Sequence, residues 1–166
     1  MGCLGIIPKI SMALLKGEYQ ATLDEKGRVS IPARFREGIP HNVLVLTKSM
    51  FEACVWAFTP ENHEKFTESL RNFWSANANM PMTLKQKDMF DHRVSFSASE
   101  VEIDKTGRIM IPQKFRDHAG LTRDCVVTSD GVRIEIWDAA RHAEYEQRVE
   151  EQFEAVVEKM GLLNLY

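Results

Sequence analysis

Asp24-Glu-Lys-Gly-Arg-Val-Ser-Ile-Pro-Ala-Arg-Phe-Arg-Glu37 and Asp104-Lys-Thr-Gly-Arg-Ile-Met-Ile-Pro-Gln-Lys-Phe-Arg-Asp117 are two versions of one segment, 80 residues apart. Seven of the fourteen positions are identical, and Val29/Ile109, Arg34/Lys114 and Glu37/Asp117 are conservative exchanges. A repeat of this kind sets the architecture of the chain, because each copy is one structural unit and the copies must share a core.

The repetition runs outward from these segments. Tyr19–Leu23 and Ser99–Ile103 precede the two copies as short strands, and Val43–Thr47 and Cys125–Thr128 follow them as β-branched apolar runs. Val55–Phe58 then aligns with Ile134–Trp137, and His63 and Phe66 align with His142 and Tyr145, at an offset of 79. The predicted unit is strand, turn, strand, short helix, strand, strand, long helix. Pro32 and Pro112 suit the first turn of the short helices, and Gly38 and Gly120 suit their ends. Thr59-Pro60 and Asp138 read as starts of the long helices. The last helix carries one apolar stripe, Tyr145, Val149, Phe153, Val156 and Met160, and stops at Gly161. Residues 76–83 connect the halves, and a further helix is predicted near Leu84–Val94.

The turn within each copy has a definite chemistry. Gly27 and Gly107 supply the positive φ that a tight turn needs. Asp24 and Asp104 can accept backbone N–H bonds inside the turn and orient the arginine that follows it. Strand alternation then puts Val29 and Ile31 (Ile109 and Ile111) on the buried face and Arg28 (Arg108) on the other. One such Asp–Arg pair is an ordinary surface ion pair. Two, each beside further bases at Arg34 and Arg36 or Lys114 and Arg116, form a display of planar donors suited to phosphate and guanine.

The chain of 166 residues carries a net charge of −3, which argues against non-specific coating of a polyanion but permits a local basic patch. Charge is segregated: each repeat segment holds four bases, whereas residues 135–159 hold eight acids against three bases. Cys3, Cys54 and Cys125 are odd in number and widely spaced, so they support neither a disulfide framework nor a zinc site and fit a reducing cytoplasm. No apolar run reaches the length of a membrane span. Residues 1–11 read as a disordered extension, with Met12 a more natural start than Met1.

The pattern Asp-x-x-Gly-Arg-(Val/Ile)-x-Ile-Pro-x-x-Phe-Arg resembles the strand–turn–strand of AbrB-type swapped-hairpin domains. The tandem arrangement, from Lys16-Gly-Glu-Tyr-Gln20 through Ala119-Gly-Leu121, is similar to the MraZ family over roughly residues 12–160. The resemblance implies an α+β fold: a pseudo-two-fold pair of AbrB-like half-domains (residues 12–80 and 81–166) whose β-hairpins close one barrel, with short helices and longer flanking helices. It also implies a nucleoid-associated transcriptional regulator that binds G-rich direct repeats upstream of the division and cell-wall genes and of its own gene. The regulator would assemble into a closed ring. By the same resemblance the DNA-contacting positions are Asp24, Arg28, Asp104 and Arg108. Gly27 and Gly107 shape the turns, and Lys26, Lys105, Arg34 and Lys114 would set the protein on phosphates. The partners are therefore double-stranded DNA and further copies of the chain, with no membrane, small-molecule substrate, metal or cofactor.

The competing classes are weaker. There is no P-loop, GxSxG, HExxH or GxGxxG, so an enzyme is not expected. An Asp held beside an Arg stays ionised and makes a poor general acid. His63 and His142 invite a metal hypothesis, but helix packing explains them better. Trp56, Phe58, Trp137, Met89 and Phe90 read as core or subunit interface. The remaining rival is an antitoxin-like or ring-scaffold interaction module built on the same fold without DNA readout.

Overall fold

A computed structural model describes residues 16–161. The extension over residues 1–11, and with it the choice between Met1 and Met12, lies outside the described residues. Repeat one comprises β1 (Gly17–Thr22), β2 (Arg28–Ser30), α1 (Ala33–Arg36), β3 (Val43–Lys48), β4 (Val55–Phe58) and α2 (Pro60–Ala76). After α3 (Leu84–Asp91), a π-helical turn, His92–Phe96, leads into repeat two. That repeat comprises β5 (Ser99–Glu102), β6 (Arg108–Met110), α4 (Gln113–Ala119), β7 (Asp124–Ser129), β8 (Ile134–Asp138) and α5 (Ala139–Lys159). The order is the α+β unit predicted from the repeat, twice over.

Neither repeat forms a sheet by itself. Six strands make one antiparallel sheet in the order β1-β7-β8-β4-β3-β5, so each repeat lends its first strand to the other. β1 pairs with β7 of repeat two, β5 pairs with β3 of repeat one, and β4 and β8 meet at the centre. The remaining strands, β2 and β6, pair only with each other, with Val29 opposite Ile109. Those two positions are equivalent in the repeat, so a pseudo-two-fold axis passes through their pair. This short ribbon adjoins both outer strands, β1 beside β2 and β5 beside β6.

Strand alternation divides the side chains into two clusters. Val55 and Ala57 of β4 and Ile134 and Ile136 of β8 face the ribbon. There they meet Val29, Ile31, Ile109 and Ile111, and Phe35 and Phe115 from the short helices, all essentially inaccessible. Burying each such side chain contributes roughly 1.5–3 kcal/mol, so the ribbon is fixed from beneath by apolar packing. The alternate residues Trp56, Phe58 and Trp137 face the opposite side, where α2 and α5 lie. There the duplication reaches ring geometry. Phe58 stacks on Phe66 (centroids 5.1 Å apart) and meets His63 edge-on, while Trp137 stacks on Tyr145 (4.9 Å) and meets His142 edge-on. The sheet thus separates the basic ribbon from the acidic long helices.

Helix ends follow local chemistry with small departures from expectation. Thr59 and Asp138 accept N–H bonds from Asn62 and Arg141 as N-caps, and Thr83 and Gln86 form a capping box on α3. Pro32 and Pro112 occupy the N-cap position itself rather than the first turn. Gly120 closes α4 in the left-handed conformation (φ 58°), as expected. In repeat one the helix stops a turn earlier, and the left-handed residues are His41 and Asn42 instead of Gly38. Of the cysteines, Cys54 and Cys125 are buried, and burial pushes their thiols up to about 12 and about 11, as inert core residues.

Candidate nucleic-acid interface

Each turn is built around its aspartate. The Asp24 backbone N–H donates to the Arg28 carbonyl (2.9 Å), and the Gly27 N–H donates to the Asp24 carbonyl (2.9 Å). Asp24 Oδ1 accepts from the N–H groups of Lys26 and Arg28, both at 2.9 Å, and Oδ2 accepts from Arg28 Nε at 2.7 Å. Repeat two reproduces the device. Asp104 Oδ1 accepts from the N–H groups of Thr106 (2.9 Å) and Arg108 (3.0 Å) and from the Thr106 hydroxyl (2.7 Å). Its Oδ2 accepts from Arg108 Nε at 3.2 Å. Gly27 and Gly107 have φ of 79° and 81°, the conformation the turn requires.

The geometry leaves a particular part of each arginine available. Nε is consumed by the aspartate, whereas the Nη1 and Nη2 ends make no other hydrogen bond among the described residues; Arg108 Nη1 comes only within 3.9 Å of Asp24 Oδ2. Two parallel N–H groups at the tip of a fixed guanidinium match the O6 and N7 acceptors of guanine. Arg28 lies opposite Met110 and Arg108 opposite Ser30, so the two arginines sit diagonally across the ribbon, with the Val29–Ile109 pair beneath. The 3.9 Å approach of Arg108 to Asp24 shows how close the two turns are.

The carboxylates are ionised under ordinary conditions. The Arg28 N–H, followed by its guanidinium, holds Asp24 below the usual aspartate range. The Arg108 N–H and the Thr106 hydroxyl hold Asp104 well below it. A depressed carboxylate contributes stability that is complete above the unfolded-state pKa, near 4, and is lost as pH falls through the folded-state pKa. The stability difference between wild type and Asp104→Asn should therefore stay constant from pH 8 to about 4 and shrink only below that. Denaturant melts of both proteins across this range would check it; a change between pH 5 and 8 would contradict the assignment.

The other candidates divide. Lys26, Lys105 and Arg34 are exposed around the turns. Lys114 is exposed too, but its Nζ donates to the Ser97 carbonyl at 2.7 Å and lies over the Phe115 ring. Two features of the site have no local signature that names both partners: the cross-repeat approach of Arg108 to Asp24, and the packing of Arg36 and Arg116 against the far glycines. The signal for the second was present, since both arginines are identical in the two copies. Their partners were not readable, because they lie across the pseudo-two-fold axis. His63 and His142 pack on aromatic rings, and among the described residues no three His, Cys, Asp or Glu side chains cluster as a metal site.

An interleaved sheet, a ribbon on a two-fold axis and one arginine-bearing turn per repeat define a tandem swapped-hairpin protein. The family described as "MraZ protein, putative antitoxin-like" matches residues 14–86 and again 96–164. The chain belongs to the MraZ family. It is 35% identical over 147 residues to a protein of Treponema denticola (89% of this chain, 97% of that one). It is 36% identical over 149 residues to one of Acetivibrio thermocellus (90% and 98%). With one of Frankia alni it shares 38% over 144 residues (87% and 94%). Each of these relatives is named "Transcriptional regulator MraZ". The chain is accordingly a family member of regulatory and not enzymatic type. No helix among the described residues is long and apolar enough to cross a membrane.

Proposed function

We propose that this protein regulates transcription by binding G-rich direct repeats in double-stranded DNA, upstream of division and cell-wall genes and of its own gene. The two Asp–Arg turns would read the bases. The observation that carries this reading is the pair of guanidinium groups fixed through Nε, with outer nitrogens that make no hydrogen bond among the described residues, on one ribbon. Lys26, Lys105 and Arg34 flank the turns and would position the duplex through phosphates. The acidic α5 lies across the sheet and would keep DNA on the ribbon side.

The closeness of the two turns limits one subunit to one short stretch of duplex. A longer operator then calls for several subunits. Direct repeats match a head-to-tail ring, in which neighbours are related by rotation and present the same turn in the same sense. Exposed apolar residues on α5 and on the α2–α3 hairpin supply surfaces for such a ring. Weak single-site contacts would then add through effective concentration.

The test is binding to a duplex carrying the direct repeats upstream of the protein's own gene, beside the same duplex with each guanine run scrambled, over a salt series. The expected result is a preference for the intact repeats of at least tenfold, and an affinity falling linearly in log–log form by about 0.9 per phosphate contacted. Equal binding to both duplexes, or none, would favour the interaction-module alternative.

A further inference from the structure

We propose that Arg36 and Arg116 are positioning residues, each holding the DNA-reading turn of the opposite repeat in its working geometry. The inference rests on the reading of the Asp24–Arg28 and Asp104–Arg108 turns as the DNA-reading elements.

Arg36 belongs to α1 of repeat one, yet its guanidinium packs against Gly107 of repeat two. A Cβ placed on Gly107 would fall 2.7 Å from Arg36 Cζ and 2.9 Å from both Nε and Nη1. Arg116 repeats the arrangement at Gly27, at 2.8, 3.0 and 3.0 Å. Because Cζ is nearest and two nitrogens follow almost equally, the glycine faces the plane of the guanidinium rather than its edge. The Nε atoms of Arg36 and Arg116 are buried and have no hydrogen-bond partner among the described residues. These side chains are therefore placed for packing and not for an ion pair, a role that the planar, weakly hydrated guanidinium fills and a lysine ammonium does not.

The backbone ties the same glycines to the same segments. The Ile31 N–H donates to the Gly107 carbonyl and the Ile111 N–H donates to the Gly27 carbonyl, both at 2.9 Å. Turn two is thus fixed by Ile31 and Arg36 of repeat one, and turn one by Ile111 and Arg116 of repeat two. Phe35 and Phe115, wholly buried beside these arginines, anchor the helices that carry them. Glycine at 27 and 107 then has a second cause beyond positive φ: any side chain there would displace the arginine of the other repeat. The coupling crosses the pseudo-two-fold axis, so loss of Arg36 loosens the turn of Arg108 and leaves that of Arg28 in place.

A double-mutant cycle on the full-length protein, read as affinity for the direct-repeat duplex, tests this. Arg36→Ala should weaken binding several-fold alone. It should add less than about twofold to Arg108→Ala, and should multiply the effect of Arg28→Ala, as expected when only the first pair is coupled. Arg36→Lys should fail to restore affinity, with the salt slope unchanged. Rescue by lysine, a slope lower by about 1, or equal additivity with both turn arginines would make Arg36 a phosphate contact and overturn the proposal. Amide exchange without DNA gives an independent arm: Arg36→Ala should accelerate exchange in residues 104–108 and at Ile31, whose N–H bonds to Gly107, but not in residues 24–28 or at Ile111, and Arg116→Ala the reverse. Should either alanine variant fold poorly, the lysine variants decide by the same exchange pattern. Uniform or unchanged exchange overturns the proposal while leaving DNA reading intact. Unchanged affinity in both Arg28→Ala and Arg108→Ala removes the DNA reading, and with it the proposal's functional half.

Discussion

Replacing both Arg28 and Arg108 by alanine is expected to abolish preference for the direct-repeat duplex while leaving the fold in place. A bidentate arginine–guanine contact discriminates by about 1–3 kcal/mol. Two such contacts on separate bases give about 2–6 kcal/mol, or roughly 30-fold to more than 10⁴-fold in affinity. Each single variant should lose about half of that free energy, because the repeats are equivalent. The fold should survive because both arginines stand on the solvent side of the ribbon, while Val29, Ile31, Ile109 and Ile111 beneath them keep their burial. Half-exposed ion pairs at a surface turn, of the Asp24–Arg28 kind, contribute little to stability.

Arg34→Ala serves as the contrast. Arg34 is exposed on α1 and outside the turns. Its loss should weaken binding to intact and scrambled duplexes alike and lower the salt slope by about 1. Fluorescence anisotropy on both duplexes, with far-UV circular dichroism as the folding control, separates the cases. Binding of the double variant with wild-type affinity and preference would remove the turns from the interface.

The repeat made most of the architecture legible, because local rules decided it. Alternation named the buried face of the ribbon, Gly27 and Gly107 marked the turns, and Thr59 and Asp138 marked the starts of α2 and α5. The sequence was silent where the outcome depends on chain crossing. Nothing local says that β1 pairs with β7 instead of β3, or that Arg36 packs under Gly107 instead of Gly27. The ends of α1 misled for a different reason. Gly38 looked like the left-handed cap that Gly120 is, but the shorter helix of repeat one moves that conformation to His41 and Asn42. Among the site candidates, Lys114 was legible as a base but not as a donor to the Ser97 carbonyl, since Ser97 lies seventeen residues away beyond the ribbon.

On the proposed ring assembly, Phe153→Glu combined with Val156→Glu is expected to yield smaller species than wild type and to lower the affinity for multi-box DNA. The first turns of α5 are occupied: Tyr145 stacks on Trp137, and Arg148 bonds to Glu52 across from the sheet at 2.9 Å. The stripe continues past that contact, and among the described residues Phe153, Val156 and Met160 are left 61%, 48% and 64% exposed. Leu84 and Met89 of α3 and Phe96 of the π-helical turn that follows it are exposed as well. Isolated apolar residues on a surface need no explanation, but a sustained stripe along one helix face marks an interaction surface. Burying a side chain of this size stabilises by roughly 1.5–3 kcal/mol, and a carboxylate placed in the same contact is costly unless paired. Because α5 lies across the sheet from the ribbon, the substitutions leave each subunit's own turns untouched. Affinity for a single box should therefore stay within about threefold, while the advantage of several boxes over one, commonly 10²–10⁴ for linked sites, should collapse. Sedimentation velocity and binding to one-box and four-box duplexes together decide the point: unchanged sedimentation would remove α5 from the interface, and a smaller species that keeps the multi-box advantage would sever assembly from DNA binding.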